Sequence, residues 1–273
     1  MRLCLLLTML AFGQAVYAQS TQSTQGTQGR QGPQGIQGAP GLTLGTGLDY
    51  TTGKYGASEK TEILYVPFYA RYETGPWIFR LTVPYIRITG PGNVVGAGGD
   101  RVTLPGRAGT RRTESGLGDI TTSAFYNVLS ERRSAVGLDL GVKAKFGTAD
   151  ETKGLGTGQN DYSLQADLFK PFGATTLFGS LGHRWYGDPP GLNLKNVFYG
   201  SVGASHRFSS QSSGGLVYDY RPAITAGGGE ISELTAFWSQ RLSREWKLQP
   251  YGVVGFGRAS PDFGVGFQLA YSY

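Results

Sequence analysis

Phe263-Gly264-Val265-Gly266-Phe267-Gln268-Leu269-Ala270-Tyr271-Ser272-Tyr273 alternates without a break. Phe263, Val265, Phe267, Leu269, Tyr271 and Tyr273 fall on one face, and Gly264, Gly266, Gln268, Ala270 and Ser272 on the other. A period of two with one wholly apolar face describes a strand whose two sides meet different solvents. The length suits a tilted transmembrane strand of about 9–11 residues. In water such an aromatic stripe on a sheet edge would be an aggregation hazard.

The same rhythm recurs upstream. From Leu42 onward twelve alternating stretches can be counted. In the fifth, Val136, Leu138, Leu140, Val142, Ala144 and Phe146 alternate with Gly137, Asp139, Gly141, Lys143 and Lys145. The eleventh, Trp246–Gly257, is less regular, and its register is open. Short connections such as Glu73–Pro76, Gly173–Ala174 and Ser243–Glu245 alternate with longer ones: Gly53–Thr61, Thr89–Glu114, Gly147–Asn160, Gly187–Lys195 and Pro222–Glu230. Only Arg258–Asp262 breaks that alternation by being short. Short turns on one side, long loops on the other and an even strand number are the pattern of outer-membrane barrels. The expected fold is therefore all-β: an antiparallel up-and-down transmembrane β-barrel of about twelve strands over residues 42–273. Parity places both termini in the periplasm. Closure removes unpaired edges, as a bilayer requires.

Composition agrees. Only 16% of residues are charged, 44 are Gly and 16 are Tyr, which suits close-packed strands and interfacial aromatic girdles. A mean hydropathy of -0.22 speaks against a helical span. Residues 1–18 read as a secretory signal peptide, with Arg2, the apolar run Leu3–Phe12 and a cleavage site at Val16-Tyr17-Ala18. The one cysteine, Cys4, lies inside it, so the mature chain has no thiol chemistry. Over residues 19–41, Gly recurs every third position from Gly26 to Gly41 among Gln and Pro. That is the period of collagen, but too few triplets stand alone. A flexible tail, a trimerisation stub and a segment entering the lumen are all compatible with it.

Several stretches resemble one family, the outer-membrane barrels labelled the putative MetA-pathway of phenol degradation, or simply transporters. They are Tyr72-Glu73-Thr74-Gly75-Pro76-Trp77, Leu81-Thr82-Val83-Pro84-Tyr85, Ser115-Gly116-Leu117-Gly118-Asp119-Ile120 and Gly154-Leu155-Gly156-Thr157-Gly158 leading to Asp161-Tyr162. Leu181-Gly182-His183-Arg184-Trp185 is similar too, with His183 where an aromatic is usual. The motifs specify fold more than substrate. The resemblance implies passage of a small solute, aromatic or hydrophobic by the family's label, and carries no catalytic residues. It also implies that the aromatic C-terminal strand, with Phe267, Leu269, Tyr271 and Tyr273, is read by the outer-membrane assembly machinery.

The candidate site is the lumen. Inward positions carry Arg80, Lys143, Lys145, Arg184, Arg207, Arg221 and Arg241, against Asp49, Asp119, Asp139, Asp161, Asp167, Asp219 and Glu233. Charges in a narrow barrel are partly desolvated and should pair or meet water. They either stiffen a closed barrel or line a polar pore, and seven of each sign predict little ion preference. Arg101, Arg107, Arg111 and Arg112 form a basic patch in the long Thr89–Glu114 loop. Such a patch would meet lipopolysaccharide phosphates, fold into the mouth, or stay solvated.

A lipid-modifying enzyme is the remaining reading. His183 and His206 both fall on the lipid-facing register, about six positions apart across their hairpin, roughly 20 Å at the usual strand rise, which argues against a joint site. The ligand spacing of a metal site is absent, as is the Lys-Ser/Thr that would complete a phosphate loop at Gly154–Gly158, which reads as a flexible outer loop. No cofactor is expected, and no basic stripe with interleaved aromatics suggests nucleic acid. Oligomeric state is open. The leading expectation is an outer-membrane channel for passive passage of a small solute; the alternative is a closed structural or adhesion barrel displaying loops.

Overall fold

The computed structural model describes residues 41–97, 101–104, 109–130 and 135–273. The leader over 1–18 and the tail up to residue 40 lie outside the described residues; Gly41 already opens the first strand.

The chain forms β1 (Gly41–Gly53), β2 (Thr61–Thr74), β3 (Trp77–Gly90), β4 (Val94–Val95), β5 (Val102–Thr103), β6 (Arg112–Leu117), β7 (Ile120–Leu129), β8 (Gly137–Phe146), β9 (Asp161–Phe172), β10 (Thr175–Trp185), β11 (Val197–Arg207), β12 (Ser212–Arg221), β13 (Ile231–Arg241), β14 (Trp246–Gly255) and β15 (Phe263–Ser272). All strands but β4 and β5 form one antiparallel sheet in chain order, and β1 pairs with β15 to close it. β6 and β7 both pair with β3 and make one interrupted strand, so the barrel has twelve.

The interruption has a local cause. Tyr85 stands opposite Leu117 while Thr82 stands opposite Thr121, so the β6–β7 side carries one extra residue. That is the signature of a β-bulge. Pro84 lies between the two registers, and its carbonyl accepts the Gly118 amide at 2.8 Å. Proline has no donor to continue the ladder, which suits a bulge.

The outward face is apolar on every strand of the barrel, as Leu140 (48% exposed), Leu164, Leu181, Phe198 and Trp238 illustrate. Near the short turns Trp77 packs edge-on to Tyr126, and Trp246 to Tyr271, which also meets Tyr273. An apolar belt with an aromatic girdle is stable only with acyl chains around it. Between Phe79, Tyr162 and Trp185 the small Thr122, Ala124 and Ala144 leave a hollow of about 440 Å³ on this face.

The inward face does not follow the expected rule of polar groups alone. Six inward rings each lie on a glycine directly opposite in the ladder: Tyr69 on Gly45, Phe125 on Gly141, Phe178 on Gly203, Tyr199 on Gly182, Phe237 on Gly215 and Tyr251 on Gly266. A Cβ at any of these glycines would come within 2.2–2.8 Å of the ring. Glycine here makes room for a ring to lie flat against the wall. Phe169, Phe178, Val217, Phe237, Tyr251 and Val253 join into a buried cluster that reaches from the short-turn half through the middle of the barrel.

The eleventh strand settles as β14, with Trp246, Pro250 and Val254 outward and Lys247, Gln249, Tyr251 and Val253 inward.

Candidate functional site

The long connection between β3 and β6 enters the barrel mouth. Its β4–β5 hairpin is closed by Leu104 N–H donating to the Asn93 carbonyl at 2.7 Å. Val94 and Ala97 pack on Ile63, Ile86, Ile88 and Leu155 at one wall. Val95, Val102 and Leu104 pack on Tyr186, Leu194, Val197 and Ile224 at another. The hairpin thus bridges the mouth between the β2–β3 side and the β10–β12 side.

Polar links hold it there. Arg101, 2% exposed, is ion-paired to Glu233, 0% exposed, and its Nε donates to the Ala259 carbonyl at 3.2 Å. Arg221 Nη2 donates to the Arg101 carbonyl at 3.3 Å, and Thr225 Oγ1 to the Thr103 carbonyl at 3.2 Å. Arg101 also lies over the Tyr55 ring, 5.5 Å from its centroid. Tyr55 itself sits at φ 49°, an uncommon conformation for a side chain of this size. The expected outer basic patch is therefore divided. Arg101 is a buried latch because an apolar hairpin carries it inward to an acid. Arg111 and Arg112 stay exposed on the rim, Arg111 bonded to the Lys60 carbonyl (2.6 Å) and paired with Glu62 (3.4 Å), Arg112 with Glu114 (3.8 Å). Arg107 lies outside the described residues.

A second knot ties the next loop. Lys145 Nζ lies 2.9 Å from Asp161, 3.3 Å from Asp119 and 3.1 Å from Thr157 Oγ1. Asp119, placed in the bulge, accepts the Ala149 amide at 3.0 Å, and Asp161 accepts that of Gly187 at 3.1 Å. The Gly154–Gly158 segment, expected as a flexible loop, is instead packed: Leu155, Gly156 and Thr157 are buried, and Gly96 N–H donates to the Gly154 carbonyl. At the exposed tip, the Thr152 hydroxyl donates to Asp150 and holds its carboxyl below the usual carboxylate range.

At the same end of the barrel, Arg184 Nε donates to Ser163 Oγ (3.0 Å) near the Tyr186 and Tyr199 rings. Arg221 reaches the Tyr186 hydroxyl (3.1 Å), and Arg80 lies 4.0 Å over the Tyr69 ring. Asp49 accepts from the Tyr251 hydroxyl (2.8 Å), Asp139 from Asn127 (2.6 Å) and Asp167 from Gln165 (2.6 Å). Asp139 stands opposite Asp167, and Asp219 opposite Glu233. Lys143 is buried in the wall between Ser123 and Ser163. Arg207 and Arg241 end β11 and β13 at the short-turn mouth, half-buried.

Three inward cations escaped the sequence reading. Arg101 was placed outside, Lys247 hid in the irregular eleventh stretch, and Arg71, bonded to Glu73, lay near a turn. Even with Glu73 counted beside Arg71, they tip the even charge balance expected inside toward positive. The alternation of β2 could have found Arg71, which continues the inward face of Tyr65 and Tyr69.

The two histidines lie further apart than expected. His206 stands opposite Thr175 and His183 opposite Phe198, eight positions along the hairpin, or about 26 Å. His183 packs edge-on to Trp185 and Phe198, and His206 to Phe208.

A closed twelve-stranded barrel with an all-round apolar belt and a charged lumen narrowed at one mouth has the build of an outer-membrane β-barrel. The chain belongs to the family described as "Putative MetA-pathway of phenol degradation", which it matches over residues 29–273. It is similar to the crystal structure of an outer membrane channel from Pseudomonas putida F1, with a TM-score of 0.65 at 13% identity, covering 86% of this chain and 96% of that one. Weaker likenesses are a monoaromatic hydrocarbon channel, CymD (TM-score 0.42, 11% identity, 85% of this chain and 88% of that one), and the KdgM porin (TM-score 0.44, 10% identity, 85% and 99%). No curated protein matches the chain.

Proposed function

We propose that the barrel lets a small solute pass the outer membrane passively, without covalent chemistry, and that its lining restricts it to compact solutes with an apolar or aromatic body. One observation carries the reading: below the hairpin, the lumen wall holds both a buried aromatic cluster and buried charges. A general water-filled pore has no use for the former. The membership in a family named for phenol degradation and the fold shared with an outer membrane channel support it.

The short-turn end and both termini face the periplasm in this reading, since outer-membrane barrels keep short turns there. Arg111 and Arg112 then meet lipopolysaccharide phosphates, and the C-terminal strand with Phe267, Leu269, Tyr271 and Tyr273 engages the assembly machinery.

Reconstitution tests it. Proteoliposomes should pass phenol or benzyl alcohol faster than protein-free vesicles and exclude a trisaccharide. Absence of both ion conductance and aromatic flux with folded protein would overturn it. A closed, loop-displaying barrel is the second reading, favoured by the apolar packing of the hairpin in the mouth.

A further inference from the structure

At the short-turn mouth, β13 and β14 set two cations face to face: Arg241 stands opposite Lys247 on the inward side. Like charges directly opposite destabilise a sheet. Lys247 is also within electrostatic reach of Arg71. The pair borders a small hollow of about 10 Å³, completed by Ser213 and Ser239, themselves opposite one another, and by the β11–β12 turn. One step further in, Gln249 (1% exposed) stands opposite Gln268 (3% exposed). Neither amide nitrogen nor amide oxygen of either glutamine has a hydrogen-bond partner among the described residues. Four buried polar atoms left so are costly unless something in the lumen meets them. One step beyond, Phe237 stands opposite Tyr251 in the aromatic cluster. Glu73 pairs with Arg71 at this mouth, and Asp49 accepts from the Tyr251 hydroxyl at 2.8 Å.

We infer that this gradient, cations and hydroxyls at the mouth, then free amides, then rings, is a binding site for a small aromatic or aliphatic carboxylate. The carboxylate lies between Arg241, Lys247 and the glutamine amides, and the apolar body lies against Phe237 and Tyr251. Charge-assisted bonds from Lys and Arg are the strong ones for a carboxylate. The glutamine N–H groups supply directional donors, and the rings exclude a fully hydrated anion. The inference deepens the proposed transport by naming a solute class, but binding can be read without flux.

The test uses the full chain in detergent, titrated calorimetrically with benzoate, benzyl alcohol, acetate and inorganic phosphate against empty micelles. Benzoate should bind at least tenfold more tightly than each of the others. Lys247→Met and Arg241→Gln should each weaken benzoate at least tenfold and leave benzyl alcohol unchanged, while Lys247→Arg keeps benzoate binding. Gln249→Leu reads the amide contribution if a charge variant fails to show the heat-dependent gel shift of a folded barrel, and should weaken benzoate too. Equal affinity for benzoate and benzyl alcohol, for benzoate and phosphate, or for wild type and the folded variants overturns the site. Should aromatic flux persist in that case, the transport reading stands alone; should benzoate bind without any flux, the site stands and transport falls.

Discussion

At the residue scale, the glycines opposite inward rings give six of the 44 glycines a specific packing role. A Cβ at Gly141 would lie 2.3 Å from two Phe125 ring atoms. Gly141→Val must lift that ring off the wall, and overpacking of this kind typically costs about 1–3 kcal/mol. The urea midpoint of the folded gel band should fall accordingly. In Phe125→Leu the same valine should cost less, a coupling that a double-mutant cycle resolves. If the two substitutions are additive, the ring does not rest on Gly141. The sequence shows the alternation of these glycines with polar groups, yet not their partners. The pairing depends on register between neighbouring strands, and a one-residue slip moves every side chain to the other face.

At the element scale, the β4–β5 hairpin decides how open the mouth is. Its latch joins Arg101 to Glu233, with both side chains buried. Removing one member of a buried pair leaves an uncompensated charge, at roughly 3–5 kcal/mol. Glu233→Ala should therefore weaken hairpin docking, and single-channel conductance should rise or flicker between two levels. Conductance unchanged from wild type would mean the hairpin does not constrict the path. The Lys145 knot makes a parallel case. Lys145→Met strands Asp119 and Asp161, so protease cleavage within Gly147–Asn160 should become faster while the barrel itself stays resistant. Folding of this 26-residue connection into the mouth was one of three fates open in the sequence, with Val94-Val95, Val102 and Leu104 as the hints of burial, but the partners of Arg101 and Lys145 were not legible beforehand. The strand count was legible, because outward faces see one uniform solvent and need no partner to be interpreted. The bulge at Gly118-Asp119 was not, since Asp119 fits the inward alternation whether or not an extra residue is inserted.

At the scale of the whole molecule, two surfaces obey different rules. The outer wall is matched to lipid, so its tolerance for charge depends on depth alone. Leu140 lies midway along β8 on the outward face, whereas Phe256, 67% exposed, lies just past the end of β14 at the long-loop rim. A lysine at the midplane of a barrel costs about 2–4 kcal/mol, and near an interface about 0–1. Leu140→Lys should then lower folding stability in lipid vesicles by a few kcal/mol, and Phe256→Lys by little. On the inner wall the tolerance for a substitution is set locally rather than by depth, because each inward side chain answers to its neighbours: an aromatic to an opposite glycine, a lysine to two aspartates. The lipid-facing half could accordingly be read from period alone, while the lumen had to be seen. Equal penalties at Leu140 and Phe256 would contradict a membrane boundary lying between them, and with it the placement of the long-loop rim in water.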